Sequence, residues 1–457
     1  MNRPPTVPPA PTAGVPIGGD TGAGTGDERC PYTGTAATPA PTDRRTARRS
    51  AVPALYGPRF QADPYAVYRE LRGMGPIAPV ELSPGLHAMI TTTYEAALHL
   101  LRHTPGTFRK DPQYWAALRE GRVPEDSPAL PMIMPRDNAL WKDGLEHTRL
   151  RGAITASLAR VDTHGLPAMV EAIADALIDS FAADGTADLV AQYAAPLPMQ
   201  VLLHMFGCPE DLGYTIVDAI ARLFDTVSDA ARANAELEAA CLELARLKRA
   251  EPGDDVTSWM IEQPQRLTDV EMIQQILLVV GAGTTPSTNL IANTLQRLIT
   301  DDEYAGDAYT GSRPITGVVE RVLWEDPPVA NYCPLYATTA IPYGGITIPA
   351  GVPVLVSFAM ANTDPALDGM RREDNRGHLA FSGGIRACPA QGLARLITQT
   401  AVTRLLDRLP DAEPVDPDAP ASRRPPTFHS GLTTLPVAFT PPRATPSPFH
   451  EPGSTLE

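Results

Sequence analysis

The chain has 457 residues and a formal net charge of −15. So acidic a balance argues against nucleic acid as a main partner. No apolar run is long enough to span a bilayer and the N-terminus lacks a signal-like hydrophobic core, so the expectation is a soluble, cytoplasmic protein with no membrane partner. Cys30, Cys208, Cys241, Cys333 and Cys388 are odd in number and scattered, giving neither zinc-type pairs nor a disulfide framework.

Residues 1–50 are rich in Pro, Thr, Gly and Ala and hold almost no large apolar residues. Such a stretch cannot bury enough surface to offset its ordering entropy, which predicts a disordered tail. Residues 443–457 read the same way, leaving 51–442 as the folded domain. The cluster Arg44, Arg45, Arg48 and Arg49 reads as a solvated linker.

Order is expected from near Tyr56. Asp63-Pro64-Tyr65 opens a helix carrying Tyr68 and Leu71. His87–Thr91 reads as a short strand, and Thr93 caps a helix through Leu101. Residues 106–140 show no sustained period, and a long irregular segment inside a domain is often functional. Met132, Ile133, Met134 and Leu140 could line a pocket there or pack beneath the loop. His147 and Arg151 stand at i and i+4 on one helix face, where two donors can hold a pair of carboxylates.

Helical patterns follow at Met169–Phe181 and Leu237–Leu247, with breaks at Asp184-Gly185-Thr186 and Gly253-Asp254-Asp255. Thr268 and Glu271 form a capping box at the start of a long helix. Its middle reads Ala282-Gly283-Thr284-Thr285-Pro286-Ser287, and the proline is expected to disrupt it. Val352–Phe358 reads as a strand after a Gly-rich turn.

The stretch Phe381-Ser-Gly-Gly-Ile-Arg-Ala-Cys388-Pro-Ala-Gln-Gly-Leu-Ala-Arg395 runs from a glycine loop through one cysteine into a helix. Pro389 suits a first helical position, which would put Cys388 at a helix N-terminus. The helix dipole and Arg386 would there favour thiolate over thiol. A thiolate so placed can be a nucleophile, a metal ligand or a haem ligand.

The spacing Phe381-x-x-Gly384-x-Arg386-x-Cys388-x-Ala390, followed by Leu393-Ala394-Arg395, resembles the haem-binding signature of the cytochrome P450 family, with Ala390 where the family usually has glycine. The resemblance covers roughly residues 55–440. It implies a mainly α fold with a smaller β region (α+β), with haem b held between the I and L helices and Cys388 as its axial thiolate. It implies that Phe381 packs near the cysteine and that His147, Arg151 and Arg386 meet the haem propionates. Trp141 could approach the haem edge. Residues 106–140 would cover the substrate pocket, and the end of the chain, Ser430–Val437, resembles the hairpin whose tip dips into it.

The stretch from Ala282 and Gly283 resembles the oxygen-activation segment of the I helix, but neither register supplies its carboxylate. One register puts Thr285 on the acid and Pro286 on the catalytic threonine. Thr284, Thr285 or Ser287 could organise a water chain instead. A second departure lies before Pro327-Pro328-Val329: Arg321 and Trp324 occupy the positions of the family's Glu-x-x-Arg pair. Glu320 and Trp324 form an i, i+4 pair that could brace by packing and an indole hydrogen bond. This resembles a small actinobacterial branch of the family. No arginine lies between Asn331 and Ala337, where relatives often supply a propionate ligand.

The resemblance implies a monooxygenase acting on a small apolar organic substrate of secondary metabolism. No flavin or iron–sulfur motif is present, so electrons would come from a ferredoxin and ferredoxin reductase. The departures leave two further readings open. One is a non-oxygenating haem protein that binds another enzyme. The other is a haem-thiolate enzyme that uses peroxide or isomerises its substrate.

Overall fold

The computed structural model describes residues 52–124, 127–225, 230–301, 303–304, 314–372, 374–419 and 421–441. Both expected tails, 1–50 and 443–457, lie outside them. The described part is mainly helical with small sheets.

Short helices α1 (Gly57–Ala62) and α2 (Pro64–Gly73) open the fold. Asp63 caps α2 by accepting from the Ala66 N–H. Strands β1 (Ile77–Ser83) and β2 (Leu86–Thr91) form an antiparallel pair before α3 (Tyr94–Arg102), capped by Thr93. β3 (Phe108–Arg109) and two single-turn helices, α4 (Ala116–Arg119) and α5 (Leu130–Ile133), cross the irregular segment. Ile133 is fully buried there against Leu55, Phe60 and Trp115, and Met132 packs on the same cluster. Both serve as packing beneath the loop.

The helical half comprises α6 (Gly144–Leu158), α7 (Leu166–Asp179), α8 (Pro196–Met205), α9 (Glu210–Asp225), α10 (Ala230–Ala250), α11 (Val256–Glu262) and α12 (Asp269–Thr300). β4 (Thr186–Asp188) lies between α7 and α8. The capping box of Thr268 and Glu271 starts α12. Contrary to the expectation at Pro286, α12 runs unbroken across it. Proline removes the N–H that would meet the Ala282 carbonyl. The flanking turns hold their course because Met272, Ile276 and Val280 before it, and Leu290, Ile291 and Leu295 after it, are all buried. Tertiary packing outweighs one lost hydrogen bond.

α13 (Ile315–Glu325) leads into β5 (Asn331–Ala337), the hairpin β6 (Ile341–Tyr343) and β7 (Ile346–Ile348), and β8 (Pro353–Ser357). β8 is buried at every position and joins the sheet β1-β2-β8-β5-β3. α14 (Phe358–Asn362) follows it, and after a long loop comes α15 (Gln391–Arg408). β9 (Glu413–Pro414), β10 (Pro436–Ala438) and β4 close a small second sheet.

The tip before β10 is fastened to the middle of the fold. Ser430 Oγ donates to Asp326 Oδ1 at 2.7 Å, and Asn293 Nδ2 donates to the Ser430 carbonyl at 3.3 Å. A Cβ on Gly431 would run into the side-chain amide of Asn289. Asn289 is itself tied to the Pro328 carbonyl at 3.3 Å.

Candidate active site

Cys388 ends a loop whose conformation is forced locally. Gly384 has φ +61°, and a Cβ there would meet the Leu101 carbonyl oxygen at 2.7 Å. Only glycine satisfies both conditions. The Cys388 N–H donates to the Phe381 carbonyl at 2.8 Å, closing the loop. The helix begins later than the sequence suggests. Ala390 is its N-cap and Gln391 its first residue, so Pro389 precedes the first turn. Cys388 Sγ still accepts the Ala390 N–H at 3.4 Å.

Burial pushes the Cys388 thiol up, against the pull of the Ala390 N–H, Arg151 and Arg395. The expected preference for thiolate is therefore not supplied by the helix start alone. A bound metal cation would supply what is missing, because coordination deprotonates a thiol.

His147 and Arg151 share one face of α6, as expected. Arg151 donates through Nη2 to the Ala387 carbonyl and through Nε to Thr155 Oγ1 at 3.1 Å. It thus ties α6 to the residue before Cys388. Burial, with the Arg386 and Arg151 cations, pushes the His147 ring down to about 4.

Arg386 turns back into the segment before α6. Its Nη1 donates to the carbonyls of Ala139 (3.1 Å) and Leu140 (3.3 Å). Its Nη2 donates to the Lys142 carbonyl and to Asp143 Oδ1 at 2.7 Å. Its Nε is buried without a partner. Trp141 is buried with the ammonium of Lys110 5.0 Å from its ring centroid.

Two side chains here escaped the sequence reading. Lys110 is fully buried; its Nζ donates to the Pro334 carbonyl at 3.0 Å and lies 4.3 Å from the Tyr332 ring centroid. Nothing local in the sequence marks it. Asp143 also accepts the N–H groups of Lys110 and Asp111 through Oδ2. Its place directly before the His147 helix was the available signal. Arg386 is paired with the Asp143 carboxylate, whereas Arg151 bonds a carbonyl and a hydroxyl. A guanidinium with no bonded carboxylate, beside the orphaned Arg386 Nε, suits a group that carries carboxylates.

On α12, Gly281 and Ala282 are exposed midway along the helix, between half-buried and buried turns. A Cβ on Gly281 would meet nothing within 4 Å, whereas one on Gly283 would stand 2.8 Å from Leu202 of α8. Thr285, at i+4 from Gly281 and i+3 from Ala282, shares their face. Thr284 spends its hydroxyl on the Val280 carbonyl at 2.7 Å and lies toward Met199 of α8. Ser287 is buried.

The two family-position residues on α13 have other partners. Arg321 donates to Glu325 Oε1 and Glu303 Oε1, each at 2.9 Å, and lies over the Tyr304 ring. Trp324 donates its indole N–H to the Asn375 carbonyl at 2.7 Å and packs edge-on against His378. Glu320 does not bond Trp324. Its carboxylate takes Arg395 and His378.

The mainly helical fold and the glycine-dependent loop that presents Cys388 close to Arg151 define the candidate site. The chain is 30% identical over 370 residues to 2-hydroxy-5-methyl-1-naphthoate 7-hydroxylase of Streptomyces carzinostaticus, covering 77% of this chain and 89% of that protein. It is 32% identical over 370 residues to the cytochrome P450 monooxygenase PikC of Streptomyces venezuelae, covering 78% and 86%. Among solved structures it resembles CYP154C4 of Streptomyces sp. ATCC 11861, with 29% identity, a TM-score of 0.78 and coverage of 86% of this chain and 100% of that one. No family model matches the chain. On these relationships the chain belongs to the bacterial cytochrome P450 family and is an enzyme of the monooxygenase class. Among the described residues no helix is long and apolar enough to cross a membrane.

Proposed function

We propose that the protein is a cytoplasmic haem-thiolate monooxygenase that oxidises a small apolar secondary metabolite with electrons from a ferredoxin system. The observation that carries this reading is Cys388 at the end of a loop that admits only glycine at 384, beside Arg151 and the unpaired Nε of Arg386. Cys388 would hold haem iron, while His147, Arg151 and Arg386 would face its carboxylates. When bound, haem supplies a thiolate-ligated iron able to activate dioxygen.

The chain's own residues supply position and protons. Phe381 fixes Cys388 through its carbonyl. Gly281 and Ala282 keep the middle of α12 slim, and Gly283 seats the helix on Leu202. Thr285 would be the hydroxyl that passes a proton on that face, since Thr284 already bonds the Val280 carbonyl. The relative named for a naphthoate supports a substrate with an apolar ring system, there carrying a carboxylate. Arg321 and Trp324 at the usual Glu-x-x-Arg positions support membership of the branch that lacks this pair.

A second reading is favoured by the absence of any carboxylate from Gly281 to Thr288. An enzyme fed with peroxide needs no acid to protonate dioxygen. The deciding experiment is the absorption spectrum of the dithionite-reduced protein under carbon monoxide, with Cys388→Ala beside it. The expected result is the red-shifted thiolate-type band in the parent and its loss in the variant. A parent without that band overturns the haem-thiolate reading. Turnover with a ferredoxin system or with hydrogen peroxide then separates the two.

A further inference from the structure

Glu320 is 2% exposed and sits on the inner face of α13. Arg395, on the second turn of α15, donates Nε to Glu320 Oε1 at 2.5 Å and Nη2 to Oε2 at 3.2 Å. His378 places Nε2 2.9 Å from Oε2. Its other ring nitrogen, Nδ1, accepts the Ala380 N–H at 3.3 Å, so Nε2 carries the proton and donates to the carboxylate. Burial pushes the Glu320 carboxyl up, but the bonds from His378 and Arg395 outweigh it and hold the group ionised.

His378 and Arg395 bracket the cysteine loop, one just ahead of Phe381 and the other just beyond Cys388. A single carboxylate therefore grips both ends of the segment that presents the thiolate. The grip reaches the cysteine by a short path. The Arg395 guanidinium lies 4.6 Å from the Phe381 ring centroid, and the Phe381 carbonyl accepts the Cys388 N–H. Between the two ends Ser382 holds φ +60°, a left-handed conformation unfavourable for a residue with a Cβ. A loop with such a residue needs fixed ends to keep one conformation.

We infer that Glu320 is the positioning residue of the thiolate site, clamping the Cys388 loop through His378 and Arg395 in a protein whose neighbouring positions carry Arg321 and Trp324. Trp324 assists from one side by holding the Asn375 carbonyl. Arg321 does not take part, because its partners Glu303, Glu325 and Tyr304 lie away from the loop. The inference rests on the haem-thiolate reading.

The test compares Glu320→Gln, Arg395→Gln, the double variant and Arg321→Gln, all as haem-loaded protein. The reduced, carbon monoxide-bound spectrum gives the ratio of thiolate-type to histidine-type band. Circular dichroism gives the folded fraction at the same temperature. Removing one partner of a buried ion pair shifts an equilibrium by more than a factor of ten. The band ratio should therefore fall roughly tenfold or more in Glu320→Gln and in Arg395→Gln while the folded fraction stays near that of the parent. The double variant should fall no further than the singles, and Arg321→Gln should keep the parent's ratio. Band loss that only tracks unfolding overturns the inference, as does an unchanged ratio in Glu320→Gln. A parent protein lacking the thiolate-type band overturns the haem-thiolate reading instead, so the two failures are distinct.

Discussion

Arg386 and Asp143 meet at 2.7 Å with both side chains almost wholly withdrawn from water, at 2% and 10% exposure. Asp143 also receives two backbone N–H groups, at 2.8 and 2.9 Å. Asp143→Ala would strand the buried guanidinium and two amides together. Breaking a buried pair on one side costs about 3–5 kcal/mol. Denaturant unfolding followed by circular dichroism should show a loss of that size, and the variant should release haem more readily than its parent.

Trp324 offers a sharper contrast. It is 1% exposed, stacks with Tyr94 and meets His378 edge-on. Installing the family's arginine by Trp324→Arg would bury a cation beside His378 without a free carboxylate, since Glu320 is already engaged. The expected outcome is destabilisation of about 3 kcal/mol or more, seen as a lowered thermal midpoint. A variant as stable as the parent would show that Glu320 can serve another cation.

The threonines of α12 should behave differently from each other. Thr284→Val removes a hydroxyl committed to the Val280 carbonyl and the Met199 sulfur, so turnover should stay within about twofold. Thr285→Ala removes the hydroxyl on the face shared with Gly281 and Ala282, and proton transfer of this kind is worth about 10²-fold or more. Oxygen-dependent consumption of reducing equivalents from a ferredoxin and ferredoxin reductase pair measures both.

The pH dependence follows from two histidines. Burial with Arg386 and Arg151 pushes His147 down to about 4, and burial with Arg424 does the same to His429. In each case the unfolded chain binds a proton that the folded chain refuses, between about pH 6.5 and about pH 4. Stability is therefore full above that window and falls as pH drops through it, by on the order of 1–3 kcal/mol per site. Denaturant midpoints at pH 7 and pH 5 should show the fall, and His429→Gln should flatten part of it without touching the residues near Cys388.

Local signals were legible in the sequence. Asp63, Thr93 and the box of Thr268 with Glu271 each cap the helix they were expected to start. The i, i+4 placement of His147 and Arg151 also needs only helical geometry. What stayed hidden depends on partners far along the chain. Glu320 meets His378 and Arg395 across 58 and 75 residues, and no local spacing selects them over Trp324 one turn away. Lys110 reads as an ordinary polar residue until Trp141 and Tyr332 close over it. Pro286 misled in the other direction, because the packing that carries α12 past it comes from other helices.

The tight seat of Gly431 on Asn289 also limits how this protein can change. Asn289 is held by Pro328, and its amide stands where any side chain at 431 would begin. Any side chain at 431 must displace the Asn289 amide from its place against the Pro328 carbonyl. With Ser430 bonded to Asp326 and Leu432 buried beside it, the whole tip is a poor place for variation, and insertions are admissible only away from that seam.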